Sequence, residues 1–425
     1  MKKQILLIQP ENYEINTFRK GQFNNFVQLT MPYLAAFIDE IRYNITLVDE
    51  YNERIPYNRA FDLVALTVNT PNAVHCYDIA RRFSEKGAKI VMGGPHATLL
   101  PEEVSAHCDH LLIGESEETW PQFLQGFYEG TAKKQYAASC APPLKNLPTP
   151  RWDLVKHRRQ LMKGAVIATR GCPHSCRYCN LKEIYFDTYR TRPINEVVLE
   201  ISKLKSKYFV FWDDNFFADE DYALSLLEKI KPLKKKWAAQ VTISDCKSDR
   251  LLQAARDAGC LYLFVGLESF SPPSLQDAGK SINRADTYKE LIKKLHAHKI
   301  MVQAGIVFGF DSDTKSVFDD TLNACETLGI DGVTASLLTP FPKTPVYNQL
   351  KKEHRLKSEN WTQYNSKTHV TFNPKNMTAE ELYAGYMAFR KGFYSLPSIR
   401  KRLRISKTNL LVNLLMNLGY RHAIK

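Results

Sequence analysis

Long apolar runs are missing from this chain of 425 residues. Its start, Met1-Lys2-Lys3-Gln4-Ile5-Leu6-Leu7-Ile8-Gln9-Pro10, is basic, but the apolar run is too short for a signal peptide, and no later run is long enough to cross a bilayer. The run reads instead as a buried first strand. Low-complexity tracts and internal repeats are also missing, so the chain reads as globular, with a length that suggests about two to three domains. No disulfide framework stands out. Cys76, Cys108, Cys140, Cys246, Cys260 and Cys325 are scattered, and without an export signal they predict reduced thiols in a cytoplasmic protein. Acid is absent from residues 382–425, which hold nine Lys or Arg and most of the formal charge of +13. Aromatic-basic interleaving and any RNA-binding module are absent too, which argues against nucleic acid as a partner.

Cysteine is crowded at one place only. Cys172, Cys176 and Cys179 have the spacing C-x3-C-x2-C, which lets one loop wrap three thiolates around a soft metal centre such as an iron-sulfur cluster. With no fourth local ligand, a four-iron cluster would keep one iron open. A zinc knuckle using His174 and chance clustering are the competing readings; zinc wants four ligands, usually in two separated pairs.

The stretch from Thr169 to Asn180 resembles the cluster loop of radical S-adenosylmethionine (SAM) enzymes, with Arg170-Gly171 before the first cysteine and Tyr178 before the last. The resemblance implies a [4Fe-4S] cluster on the three cysteines and SAM chelated at the open iron. It further implies reductive cleavage to a 5'-deoxyadenosyl radical, hydrogen abstraction from an unactivated carbon, and a reductant such as flavodoxin or ferredoxin.

Residues 1–141 alternate short apolar runs with helical stretches, the pattern of a doubly wound, flavodoxin-like parallel sheet. Strands are expected at 5–8, 45–48, 63–67, 90–92 and 110–113, with helices at 33–41 and 74–85. Ligands of such sheets sit at the carboxyl ends of the strands. Two of those loops, Gly93-Gly94-Pro95-His96-Ala97-Thr98 and Gly114-Glu115-Ser116-Glu117-Glu118-Thr119, resemble turns of the cobalamin (B12)-binding domain that precedes many radical SAM enzymes, with Ser116 where that family has glycine. Cobalamin contacts are then implied at Thr67, Gly93, Gly94, Pro95, His96, Gly114 and Glu115. The Asp-x-His-x-x-Gly element that gives cobalt a histidine is absent, since residues 9–20 contain no histidine. This implies either cobalamin held without a protein ligand on cobalt or a vestige that has lost the corrinoid. His96 reads as a backbone-anchoring or pocket-lining residue, and His75 as structural.

A proline-rich connector is expected over residues 142–163. From 164 to 350, strands expected at 165–168, 208–212, 238–243, 262–265, 302–308 and 332–338 alternate with amphipathic stretches such as 194–204 and 287–298. Six such units suggest a partial (β/α)6 barrel of the TIM type, with function at the carboxyl strand ends. Asp213, Asp214 and Asn215 end the second strand, where the family accepts hydrogen bonds from the SAM ammonium; helix capping is the competing duty. Thr242, Ser244 and Asp245 end the third and offer groups for the SAM carboxylate or ribose. Gly266-Leu267-Glu268-Ser269 resembles the family's GxES element, and a carboxylate there is costly unless paired. Lys280 and Asn283 read as a following basic segment or as solvated residues. Phe308 lies in a segment resembling the family's adenine wall, or is core. Leu338-Thr339-Pro340-Phe341-Pro342-Lys343-Thr344-Pro345 resembles TPFPGTP with Lys343 in place of glycine, either solvated or reaching an acidic substrate group.

Residues 351–425 read as helical, with His354, Trp361, Tyr364 and His369 placed to lid the barrel. The basic run Ser398–Arg404 and the leucine-rich stretch Leu410–Leu418 suit either a helix docked on the barrel or peripheral contact with an anionic membrane. The expected activity is cobalamin-dependent C-methylation of a small, lipid-like or amphiphilic metabolite. Rearrangement, cyclisation or carbon-carbon bond formation without methyl transfer is the alternative, and a non-catalytic corrinoid or cluster sensor or carrier is the reading from another class.

Overall fold

Four consecutive apolar side chains in the first strand, Ile5 to Ile8, are fully buried, as a central parallel strand covered on both faces requires. The computed structural model describes residues 2–15, 27–156, 162–280 and 282–424. Residues 157–161 of the expected connector and 16–20 of the histidine-free stretch lie outside them. The N-terminal sheet is formed by β1 (Lys3–Gln9), β2 (Tyr43–Asp49), β3 (Leu63–Thr67), β4 (Lys89–Gly93), β5 (His110–Ile113) and β6 (Gln135–Ala137). Every pairing is parallel, in the order β2-β1-β3-β4-β5-β6. This is the doubly wound order, with its reversal between β1 and β3 and a sixth strand the sequence did not signal. Of the expected helices, 74–85 is found as Ala73–Ser84, while 33–41 shrinks to Thr30–Ala35 followed by turns.

The second sheet contains β7 (Ala165–Val166), β10 (Tyr208–Phe211), β11 (Lys236–Thr242), β12 (Cys260–Glu268), β13 (Met301–Phe308) and β14 (Gly332–Leu337). They run in sequential parallel order, and β14 does not close on β7. The result is the open six-stranded barrel that the sequence predicts. β7 ends at Val166, two residues early, because the Asp213 carboxylate accepts the amides of Ala168 and Thr169. The chain then forms a small antiparallel pair, β8 (Thr169–Arg170) with β9 (Arg190–Thr191), beside the cysteine loop.

Beyond β14 the tail runs through the helix Pro345–Lys352, an irregular strap, and the helices Ala379–Phe393, Leu396–Ser406 and Leu410–Ile424. The strap is stitched to both domains. Arg355 pairs with Asp311 at 2.6 Å, the Trp361 indole donates to Glu103 at 2.9 Å, and His369 lies 3.1 Å from Glu14. Tyr364 is buried with its hydroxyl on Ser358, and His354 takes a left-handed turn.

Candidate active site

The cysteine loop follows the first barrel strand, and its entry demands glycine. Gly171 has φ +89°, and a Cβ there would lie 1.9 Å from the Thr188 carbonyl oxygen. Cys172, Cys176 and Cys179 are all half-buried. The loop between them is clamped by the Arg177 amide on the Ala278 carbonyl (2.9 Å), the Val346 amide on the Arg177 carbonyl (3.1 Å) and the Arg177 guanidinium on Gln349 (2.6 Å). Burial pushes the Cys179 thiol up to about 12 and raises Cys172 and Cys176, so these thiols stay protonated until a metal takes them. Among the described residues no three His, Cys, Asp or Glu side chains converge closely enough for one ion. Three thiols spread along one loop suit a multi-iron cluster, in which each thiolate takes its own iron.

The polar strand ends divide into two groups. Asp213 and Asn215 are buried and occupied, unlike the SAM-facing acceptors expected of them. Asp213 holds the Ala168 (3.1 Å) and Thr169 amides, while Asn215 accepts the Thr242 amide (3.1 Å) and donates to Asp245 (2.8 Å). Asp214 accepts the Gly171 amide at 3.0 Å and keeps some exposure. Burial pushes Asp213 up to about 7 and Asp214 up to about 6 against these hydrogen bonds. Ser244 is half-buried and donates to Asp245 at 3.1 Å. Phe308 is core: it packs on Phe318 and Phe389, both with ring centroids 5.0 Å away, on the helical side of the sheet. Strand alternation turns it away from the barrel interior.

Glu268 sits at a register shift of β12 with φ +67° and pairs with Lys280 at 2.7 Å, both side chains buried. Burial lowers the Lys280 ammonium pKa, but the Glu268 carboxylate overrides it and holds the value above normal. Gly266 makes room, since a Cβ there would lie 2.5 Å from Glu268 Oε1 and 2.8 Å from Lys280 Nζ. Asn283 donates to the Gly266 (2.8 Å) and Leu267 (3.1 Å) carbonyls. Neither Lys280 nor Asn283 is solvated, as one sequence reading had it. Burial, and then the Glu268 charge, raise the Tyr178 hydroxyl well above its usual value.

The two domains face each other across a cavity of about 420 Å³. Thr67, Gly93, Gly94, Pro95, Gly114 and Glu115 line it from the N-terminal sheet, opposite Ile167, Arg170, Ile184, Tyr185 and Trp212 of the barrel. Gly94, at φ +105°, shapes its floor: a Cβ would meet Thr67 Oγ1 at 2.9 Å and the Val68 backbone at 3.0 Å. One expectation is corrected. His96 is fully buried outside the cavity, with Nδ1 3.1 Å from Thr70 Oγ1 and its ring edge-on to Trp361. The Glu115 carboxylate lines the wall but is committed to Arg190 (2.9 Å), with Arg170 3.5 Å away. The sequence reading missed Glu117, which takes Arg170 at 2.7 Å and the Tyr33 hydroxyl at 3.0 Å. It also missed the cavity's aromatic wall, Trp212 and Tyr185. Both acids and Arg170 stood inside the quoted motifs, but nothing in one dimension pairs them.

The residues present fit an iron-sulfur cluster and a cobalamin. Three thiols lie on one clamped loop, and the cavity beside its entry at Arg170 has a floor whose backbone path at Gly94 leaves no room for a Cβ. When bound, a reduced [4Fe-4S] cluster supplies the electron that cleaves SAM to the 5'-deoxyadenosyl radical, and cobalamin supplies methyl-carrying cobalt. The chain's own share is placement and exclusion of water.

Residues 166–325 match the Radical SAM superfamily, residues 29–124 the B12 binding domain, and residues 344–413 a domain of unknown function, DUF4070. The bacteriochlorophyllide d C-12(1)-methyltransferase of Chlorobaculum tepidum is 29% identical over 430 residues, covering 98% of this chain and 93% of that protein. The bacteriochlorophyllide d C-8(2)-methyltransferase of the same organism is 25% identical over 344 residues, 76% of each chain. Among solved structures, the radical SAM methyltransferase TsrM of Kitasatospora setae, with cobalamin and a [4Fe-4S] cluster bound, superimposes with a TM-score of 0.70 at 16% identity over 92% of this chain and 88% of that one. This chain belongs to the radical SAM superfamily, in the branch that carries an N-terminal B12-binding domain.

Proposed function

We propose that this radical SAM enzyme transfers a methyl group to an unactivated carbon of a flat, amphiphilic tetrapyrrole. The observation that carries the reading is the cavity itself, which sets the Gly93-Gly94 and Gly114 turns against the barrel's mouth, one Gly171 away from the cysteine loop. A methyl donor in that cavity and a radical generated at the loop would approach one substrate from two sides. The relative matched over nearly the whole chain is a methyltransferase of a bacteriochlorophyllide, which supports both the reaction and the substrate class. Trp212, 39% exposed on the barrel side of the cavity, supplies an aromatic face of the kind such a macrocycle stacks on. Asp214, Ser244, Glu268 and Tyr178 are the residues we assign to SAM, and Thr67, Gly93, Gly94, Pro95 and Gly114 those we assign to cobalamin. An acidic one-electron carrier such as flavodoxin or ferredoxin would reduce the cluster.

The test uses protein reconstituted anaerobically with iron, sulfide and cobalamin, given reductant, SAM labelled with deuterium in its methyl group, and bacteriochlorophyllide d. A macrocycle carrying the labelled methyl, formed together with 5'-deoxyadenosine, is the expected result. Deoxyadenosine without a methylated tetrapyrrole would remove the substrate class and bring rearrangement or coupling forward. No deoxyadenosine from cluster-loaded protein would overturn the enzyme reading altogether.

A further inference from the structure

The last helix, Leu410–Ile424, is built inside out. Asn413, Met416, Asn417 and Tyr420 face the barrel and are buried, while Leu410, Leu411, Leu414, Leu415 and Leu418 are exposed by 55, 67, 38, 50 and 39%. At 3.6 residues per turn those five leucines share one face. A helix that merely closes a globular surface would turn its leucines inward and its asparagines to water.

Polar chemistry holds the helix in this orientation. Asp331, fully buried at the start of β14, accepts from Asn413, Ser406 and Thr408 (3.0 Å). Asn417 donates to the Asp331 carbonyl at 2.8 Å and accepts from Arg402 at 2.9 Å. Arg402 is itself buried, donating to the carbonyls of Ile330 (2.7 Å) and Phe393 (2.8 Å) with its guanidinium 3.6 Å from the Phe393 ring centroid. Rotating the helix to hide its leucines would take Asn413 and Asn417 away from Asp331 and Arg402, so the outward leucine face is fixed by the fold.

The charge beside it is mostly of one sign, with Glu326 pairing Lys401 at 2.9 Å. The preceding helix, Leu396–Ser406, exposes Leu396 (55%) and Ile405 (44%) together with Arg400 and Arg404, and Lys407 follows, with no acid anywhere in residues 382–425. A leucine face rimmed by uncompensated cations complements an anionic lipid surface. A second copy of the same basic face would set cation against cation. Among the described residues no helix is long and apolar enough to span a membrane. We propose that the helices Leu396–Ser406 and Leu410–Ile424 dock the enzyme peripherally on an anionic bilayer, the leucines entering the headgroup boundary and Arg400, Arg404 and Lys407 contacting lipid phosphates.

Vesicle flotation with the full reconstituted chain tests this independently of turnover. The protein floats with vesicles of equal parts phosphatidylcholine and phosphatidylglycerol and stays at the bottom with phosphatidylcholine alone. The L411E/L415E and R400E/R404E variants, checked for fold by circular dichroism and for iron content, each lower the floated fraction by roughly tenfold, and high salt acts on wild type in the same direction. Flotation unchanged in either variant overturns the proposal. So does a wild-type dimer in sedimentation equilibrium that L411E/L415E converts to monomer without any lipid binding, which would assign the face to a second copy. Failure of methyl transfer to a tetrapyrrole leaves this result untouched, and the converse also holds.

Discussion

Arg170 of the barrel donates to Glu117 of the B12-binding domain at 2.7 Å, with both side chains buried. Arg170 stands two residues before Cys172, and Glu117 opens the helix Ser116–Glu129 beside Gly114 of the cavity. One ion pair therefore ties the entry of the cysteine loop to the wall of the cavity between the two domains. Glu117→Ala leaves a buried guanidinium with only the more distant Glu115 and is expected to destabilise the protein by about 3–5 kcal/mol. Urea unfolding reports the loss, and cobalamin retained after gel filtration reports the loosened cavity.

The same pair predicts an acid-sensitive joint. Burial pushes the Glu117 pKa up, but Arg170 overrides it and holds the carboxyl below its ordinary value. A depressed folded pKa means stability that is present above the unfolded value and lost as pH falls through the folded one. The stability difference between wild type and Glu117→Gln should be constant near neutrality and vanish on acidification below the usual carboxylate range. A difference that grows on acidification would contradict the assignment.

Asp213 behaves in the opposite sense. Raised to about 7 by burial, it favours the folded state most below the unfolded carboxylate pKa, and that contribution disappears as pH rises through about 7. Its hydrogen bonds to Ala168 and Thr169 turn the chain from β7 into β8. Asp213→Ala orphans two buried amides at about 1–3 kcal/mol each, and the loop entry at Gly171 shifts with them. The expected readout is iron bound after reconstitution, reduced by more than half, with the far-ultraviolet dichroism of the barrel retained.

Glu268 and Lys280 test whether a buried pair serves stability or chemistry. Lys280→Met should cost about 3–5 kcal/mol, because Glu268 is left charged and unpaired against Gly266. The double variant Glu268→Gln with Lys280→Met removes both charges and should recover most of that loss. If Glu268 also serves SAM, the double variant stays at or below a hundredth of wild-type deoxyadenosine formation while melting normally. Recovery of both stability and SAM cleavage would make the pair purely structural.

The fold was legible because its signals are local and periodic. Buried parallel strands such as 63–67 and 110–113 announce themselves as apolar runs between turns, and β3 and β5 occupy those same residues. Loop geometry was legible where the backbone demands glycine, as at Gly94 and Gly171. Side-chain direction was not. Phe308 follows strand alternation onto the helical side, His96 is claimed by Thr70, and Asp213 by a neighbouring strand's amides. Each is a long-range choice among partners that sequence spacing leaves equivalent. The tail is illegible for a related reason: nothing in the sequence pairs Asn413 and Asn417 with Asp331, some eighty residues away.

Lys343 stands where the resembling TPFPGTP segment has glycine, and the structure gives the substitution a definite consequence. The residue is exposed, lies in the tight turn that the Thr344 amide closes onto the Phe341 carbonyl at 3.2 Å, and has φ +64°. A side chain in the left-handed region costs about 1–2 kcal/mol, and the extra freedom glycine has when unfolded returns part of it. Lys343→Gly should therefore stabilise the barrel by about 0.5–1 kcal/mol, seen as a higher urea midpoint at unchanged slope. The two sequence readings of this lysine then separate. A solvated lysine predicts that KM and kcat stay at wild-type values as the midpoint rises. A lysine that reaches an acidic substrate group predicts the same stabilisation with KM raised several-fold and kcat unchanged, since only ground-state and transition-state binding alike would be lost.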